Sequence, residues 1–275
     1  MMTSFLSRRI RNFGATMIVV ALIWLWVRGL ESRLTPSSFA TGYFMLAVVM
    51  FLALYNMRKK LPFLPLGSSA AWLQWHLYAG LGSVGVFAIH AGLAWPTGVL
   101  ETALAFFYLC TVTSGLVGLY WTRTIPAQLA RVGNEVLYER IPTLHRQVRR
   151  QAGDIVLESV AASGATTLAD FYVARLYDFF HRRRGVSYFL RPTTTLRRTL
   201  MEEMQHSRRF FSEHELTACE RLFALVRRKD DLDFHRARQG LLKTWLFVHI
   251  GLTYALVVLA VLHGLAATAF RGGAL

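Results

Sequence analysis

The stretch Trp75-His76-Leu77-Tyr78-Ala79-Gly80-Leu81-Gly82-Ser83-Val84-Gly85-Val86-Phe87-Ala88-Ile89-His90 decides the reading of this chain. It is apolar apart from two histidines fourteen residues apart. A second stretch repeats the spacing: Val248-His249-Ile250-Gly251 continues through apolar sequence to Leu262-His263-Gly264. Fourteen residues at ~100° each return to within about 40° of the start, so the two histidines of each stretch share a helix face. They stand ~21 Å apart along the axis, most of a ~30 Å hydrocarbon core. Each stretch therefore places one imidazole near each surface of a membrane.

Around these two stretches the apolar residues are gathered into blocks. A helix crossing a bilayer needs about 20 of them. Phe13 to Leu30, Phe39 to Met57, Ala71 to Leu93, Gly98 to Thr122 and Thr244 to Phe270 meet that length and predict five transmembrane helices. The composition agrees: of 275 residues, 54% are hydrophobic and 17% charged, against about 25% charged in a soluble domain. An ordinary soluble enzyme, a coiled coil and a disordered acidic chain are excluded. Two cysteines, Cys110 and Cys219, are too few for a disulfide scaffold or a four-cysteine metal site, and no CxxCH attaches a c-type haem. Ser7-Arg8-Arg9 resembles the start of a signal peptide, but Val27-Arg28-Gly29-Leu30-Glu31 offers no small-residue cleavage site, so an uncleaved first helix is expected.

Basic residues predict the orientation. Arg8, Arg9 and Arg11 precede the first block, Arg58, Lys59 and Lys60 follow the second, and Arg123 and Arg131 follow the fourth. Positive residues stay on the cytoplasmic side. The N-terminus is then inside and the C-terminus outside, in a bacterial inner membrane. The expected organisation is transmembrane helices over residues 1–122, a helical cytoplasmic insertion over 123–242, and a fifth helix with a short tail over 243–275. The insertion holds 21 basic and 14 acidic side chains, too polar to span. Ser212-Glu213-His214-Glu215 reads as a capping box, followed by Leu216, Cys219, Leu222, Phe223 and Val226 at helical spacing. Leu168, Phe171, Tyr172, Leu176, Phe179 and Phe180 form a second amphipathic run. No dinucleotide fingerprint or P-loop is present.

On this topology the two histidine helices run parallel. His76 and His249 lie at one depth, His90 and His263 at the other. Two imidazoles facing each other across a bundle can bind a haem iron from both faces, and two such layers give two stacked haems. Zinc fits poorly, because neither layer adds a matching carboxylate or thiolate. The pattern resembles the di-haem b-type transmembrane cytochromes, especially ferric-reductase-like membrane domains and the cytochrome b subunits of respiratory complexes. That resemblance implies an all-α bundle carrying electrons across the membrane through two non-covalent haem b groups, with His76, His90, His249 and His263 as axial ligands.

The expectation is an electron-transfer subunit of an oxidoreductase, linking a quinone or cytoplasmic-side partner to an extracytoplasmic one. A multihaem cytochrome or iron–sulfur protein would serve as partner subunit. Arg123 and Lys243, with Arg58, Lys59 and Lys60, are candidates to pair with haem propionates, equally well explained as topology signals. Arg28, Arg33 and Arg271 are their counterparts outside. Two alternatives stand beside it: a quinol oxidoreductase or outer-face metal reductase, and a transporter or scaffold using the histidines for protons. Trp75 and Trp245 read as interfacial belt residues and Cys110 as packing. His145, His181, His206, His214 and His235 read as surface histidines. The arginine clusters at 182–184, 197–198, 208–209 and 227–229 suit anionic lipid or an acidic redox partner better than nucleic acid. The insertion is expected to cap the His76/His249 layer.

Overall fold

Long apolar runs without strand-like alternation fold as helices, and every regular element among the described residues is helical. The structure, a computed structural model, describes residues 2–33, 37–60, 67–133 and 136–271. The side chains of residues 2–6, 56–60 and 271 lie outside that description, so the expectations placed on Arg58, Lys59, Lys60 and Arg271 do too. Ten α-helices are described: α1 (Met2–Ser32), α2 (Ser37–Lys60), α3 (Ser69–Ala91), α4 (Val99–Val132), α5 (Ile141–Ser163), α6 (Thr167–Phe171), α7 (Tyr177–His181), α8 (Val186–Leu190), α9 (Thr195–Ser207) and α10 (Glu213–Arg271). A π-helical turn, Tyr172–Leu176, joins α6 to α7.

Four helices contain a stretch long and apolar enough to cross a membrane: Ser7–Ser32, Ser37–Tyr55, Val99–Val132 and Glu213–Phe270. They mark the chain as an integral membrane protein. The helix α3 is long enough to span at ~1.5 Å per residue, but Gln74, His76 and His90 with Trp72, Trp75 and Tyr78 dilute its hydropathy. It is therefore not among the four. Its ends are well defined. The Ser68 hydroxyl accepts from the Ala71 N–H at 3.2 Å, and Gly92 closes the helix in the left-handed region at φ 62°, two residues beyond His90.

The chain divides into two compact units, Met1–Val117 with Phe247–Leu275, and Gly118–Leu246. In the first, Met45 and Val49 of α2, Val86 of α3, Tyr108 of α4 and Leu256 of α10 form a core, with Ile23 of α1 packed against it. Tyr108 fixes α4 to α3 twice. Its ring stacks on Phe87 with centroids 4.4 Å apart, and its hydroxyl lies 2.9 Å from the buried Ser83 hydroxyl. Two glycines of α3 serve helix packing. A Cβ at Gly82 would stand 3.0 Å from Thr16 Cγ2, and one at Gly85 2.6 Å from Val20 Cγ1. These two positions make room for α1. The outward faces of α1, α4 and α10 expose Ile18, Leu22, Leu25, Leu116, Val258 and Leu265. A surface this apolar is what a hydrocarbon solvent accepts and water does not.

The second unit buries the two amphipathic runs read from the sequence. Leu168, Tyr172, Leu176, Phe179 and Phe180 meet Cys219, Leu222 and Val226 in one core. Burial pushes the Cys219 thiol up to about 11, which suits an inert core residue. The capping box forms as written: the Ser212 N–H donates to Glu215 Oε2 at 2.9 Å, and the Glu215 N–H to Ser212 Oγ at 3.4 Å. The other carboxylate oxygen, Oε1, accepts from the Leu168 N–H at 2.8 Å. One buried carboxylate thus satisfies backbone donors at the starts of both α6 and α10. The run from Asp230 to Lys243 continues without a break into the apolar half of α10. Replacing Glu215 by Ala leaves donors at two helix starts unmatched, so thermal unfolding of the detergent-solubilised chain should show a loss of roughly 2–4 kcal/mol. Glu220→Ala on the exposed face of the same helix should lose less than about 0.5 kcal/mol.

Candidate functional site

His76, His90, His249 and His263 all belong to the first unit and all are partly buried. The rings of His76 on α3 and His249 on α10 face one another with centroids 6.5 Å apart and planes at 79°. Tyr55 of α2 lies beside His76, with ring centroids 4.9 Å apart. Fourteen residues further along each helix, His90 and His263 line a common cavity of about 170 Å³. Its walls are largely apolar, with Met45, Leu46, Phe87 and Leu256 among them, and Gly42 and Tyr108 complete the lining around His90. The fourteen-residue spacing, realised on α3 and α10, therefore brings the histidines together as two pairs.

Each pair holds one histidine through its Nδ1 by a hydroxyl on a neighbouring helix. His90 Nδ1 lies 2.9 Å from Thr41 Oγ1 of α2. His249 Nδ1 lies 3.3 Å from Ser114 Oγ of α4. The residue after each hydroxyl is a glycine beside the same imidazole. A Cβ on Gly42 would stand 3.1 Å from His90 Cε1, and one on Gly115 would stand 3.6 Å from His249 Cε1. His263 Nδ1 lies 3.8 Å from the Glu101 carboxylate, so this pair does have a carboxylate beside it, contrary to the expectation from sequence. Sequence reasoning missed Thr41, Gly42, Ser114 and Gly115. The available signal was a hydroxyl–glycine dipeptide in each of two apolar helices.

The sequence-named cations sit in the second unit. Arg123 is exposed. Lys243 donates to Glu139 at 2.5 Å and lies 4.2 Å from the Tyr138 ring centroid. That ion pair holds the Glu139 carboxyl below its ordinary value. Trp75 is exposed, whereas Trp245 packs its indole onto α4 at Gly118, where any side chain would overlap it.

The basic segment spends much of its charge on itself. Arg184 bridges Asp230 at 2.8 Å and Asp233 at 3.0 Å, Lys229 meets Asp233 at 2.5 Å, and Arg197 reaches Asp230 and Asp231 at 3.5 and 3.4 Å. Lys229, Asp230 and Asp233 are almost wholly buried. Arg184 therefore belongs to the core of this unit and not to the surface cluster expected at 182–184. Two of the five histidines read as surface residues are also inside. His235 is buried, and His145 lies 3.6 Å from Asp233. Both sit where α10 turns its charged face inward, which helical spacing alone did not reveal. Burial depresses both imidazoles below their ordinary value.

No set of three or more His, Cys, Asp or Glu side chains among the described residues is grouped so as to hold a metal ion. The chain matches no family model, no curated protein and no solved structure.

Two outcomes follow for the second unit. Arg184→Ala leaves two buried carboxylates short of a partner and should cost roughly 3–5 kcal/mol by thermal unfolding. Arg182→Ala, whose ion pair with Asp178 is exposed, should change stability by less than about 1 kcal/mol. Acidification from about pH 7 to about pH 5.5 should lower the melting temperature, because the unfolded chain binds protons at His145 and His235 before the folded one does. The double variant His145→Gln with His235→Gln should flatten that slope, and a slope identical to wild type would remove these two histidines as its cause.

Proposed function

We propose that this chain is a membrane electron-transfer subunit, a b-type cytochrome that holds two haems between α3 and α10, with His76 and His249 as axial ligands of one and His90 and His263 of the other. The observation that carries the reading is the 6.5 Å separation of the His76 and His249 ring centroids. Two metal–nitrogen bonds of about 2 Å, with the ring radii added, span about 6 Å. The donor set fits the group. A tetrapyrrole supplies four equatorial nitrogens and asks the protein for only two axial ones, so a pair of imidazoles with no third protein ligand is sufficient. A bound haem would supply a one-electron couple at each layer.

The residues of the chain hold, orient and shield. Thr41 and Ser114 hydrogen-bond the far nitrogens of His90 and His249. The apolar walls around His90 and His263 exclude water. That cavity, about 170 Å³, is below the ~300–1,000 Å³ of pockets that enclose a whole ligand, so a macrocycle would seat there with the apolar side chains around it moved aside. In this reading α3 crosses the membrane as a fifth span, its imidazoles turned from lipid toward the bundle. The N-terminus is cytoplasmic and the C-terminus extracytoplasmic. Electrons pass between a quinone or cytoplasmic partner and an extracytoplasmic partner subunit.

One observation favours a second reading. The Glu101 carboxylate beside His263 is an arrangement that also suits proton handling by a transporter. An absorption spectrum of the purified chain separates the two. The cytochrome reading expects a b-type reduced-minus-oxidised spectrum and two extractable haems per chain. His90→Ala or His263→Ala should each remove one haem and spare the other, and His76→Ala or His249→Ala should do the reverse. A single haem in a fully loaded sample would sink the two-layer arrangement, and none would leave the proton reading.

A further inference from the structure

We infer that Thr41-Gly42 is a positioning device, in which the helix hydroxyl fixes the tautomer of the facing His90 and the glycine after it sets the ring's rotation, so that Nε2 points to the metal, and that Ser114-Gly115 is a looser counterpart at His249 in which the hydroxyl alone acts. The inference rests on the two-haem reading for the identity of the metal group. It rests on the geometry alone for the state of the imidazoles.

The argument is sharpest at His90. Thr41 is buried, and its hydroxyl donates its single proton to the carbonyl oxygens of its own helix, Ser37 O at 3.0 Å and Ser38 O at 3.1 Å. A hydroxyl has one proton and two lone pairs. With the proton given to either carbonyl, Thr41 Oγ1 accepts from His90 Nδ1 at 2.9 Å; the opposite assignment would give up both carbonyl contacts for one bond to the ring. The Nδ1 nitrogen must then carry the hydrogen, and in a neutral ring this makes Nε2 the lone-pair nitrogen. A metal ligand held in this way is oriented by the bond its other nitrogen makes, and the same bond raises its basicity.

The glycine acts on the other degree of freedom. Gly42 follows Thr41 on α2 and lies beside the His90 Cε1 edge, with 3.1 Å between that atom and the place a Cβ would occupy. A methyl there forces the ring to turn about its χ2 axis or to retreat. The second copy is looser in both measures. The hydroxyl of Ser114 is 3.3 Å from His249 Nδ1, and a Cβ on Gly115 would meet His249 Cε1 at 3.6 Å, an ordinary van der Waals contact. The two dipeptides lie on different helices, α2 and α4, and act on histidines of different helices, α3 and α10. Both place hydroxyl and glycine on the same two ring edges. A glycine serving only close helix approach would abut backbone or an aliphatic side chain, as Gly82 and Gly85 do with Thr16 and Val20.

The test uses the full chain in lipid nanodiscs and two readouts. Nitrogen NMR of haem-free chain with isotope-labelled histidine, assigned by the loss of one signal in His90→Gln, should show His90 fixed with hydrogen on Nδ1. Thr41→Val, which keeps volume and removes the hydroxyl, should give a mixture of tautomers, and Thr41→Ser should restore the single form. In haem-loaded chain, Thr41→Val should move the midpoint potential of one haem to more positive values, because the ligand donates less, and leave the other haem in place. Ser114→Ala should move the other haem in the same direction by a smaller amount. Gly42→Ala should alter the low-spin ferric resonance of the first haem, and Gly115→Ala should leave that of the second unchanged. An unchanged tautomer in Thr41→Val, with unchanged potential, overturns the positioning role while the haem reading stands. Wild-type chain that takes up no haem yet shows the fixed tautomer overturns the haem reading and leaves the device in place.

Discussion

An imidazole inside an apolar helix bundle must find a polar partner on another helix, because the backbone of its own helix is already hydrogen-bonded within itself. Much of the first unit can be read from that requirement. His90 takes its partner from α2, at Thr41, and His249 takes its partner from α4, at Ser114. His263 is met by Glu101 near the start of α4. Each of these contacts ties α3 or α10 to α2 or α4 at a fixed register. Apolar packing around Val49, Val86 and Leu256 can slide by small amounts at little cost. A buried nitrogen 2.9 Å from one hydroxyl cannot. The polar contacts therefore select one arrangement out of the many that hydrophobic burial would accept.

The same requirement explains why α3 stands apart from the four most apolar helices. Two histidines and a glutamine lower its hydropathy, and its glycines at 82 and 85 let α1 lie against it. The middle of α3, from Gly82 to Val86, is where it packs most closely on its neighbours. The second unit solves a related problem in a different way. Its core contains Lys229, Asp230 and Asp233, groups whose isolated burial would be costly. They are retained together with Arg184, which also lies over the rings of Phe179 and Tyr188. Burial lowers the Lys229 amine and raises the Asp230 carboxyl, so each charge depends on its neighbours to persist. The number of basic residues along this segment overstates how many stand free at its surface, although the excess of basic over acidic residues is unchanged by internal pairing.

The parts of this fold legible in sequence were those written as a period or a local motif. The apolar blocks, the capping box at Ser212 to Glu215 and the stripes through Leu168 and Cys219 are local, and helical geometry converts them directly into faces. The histidine spacing is legible for the same reason, since one helix suffices to compute it. The second layer around the histidines was not legible. Thr41 is 49 residues from His90, and Ser114 is 135 from His249. Apart from the glycine that follows each, nothing within either helix marks those hydroxyls as different from Thr111 or Thr122, which donate to their own backbone. The fate of Arg184 was hidden likewise, because a run of three arginines looks like a surface until α10 brings Asp230 and Asp233 against it.

The two histidine pairs repeat in spacing and differ in surroundings. His76 and His249 stand among aromatic and hydroxyl groups, with Tyr55 beside one and Ser114 beside the other. His90 and His263 have a tighter hydroxyl contact on one side and a carboxylate on the other. A negative charge near one ligand and a stronger hydrogen bond to its partner both stabilise a more positively charged iron. In the proposed reading both push the potential of the His90/His263 layer downward relative to the His76/His249 layer. An electron on such a pair of sites has a preferred side, set by one glutamate and one threonine rather than by the histidines themselves. In that reading the repeated spacing would make a path across the membrane, and the unequal neighbours would give that path a slope.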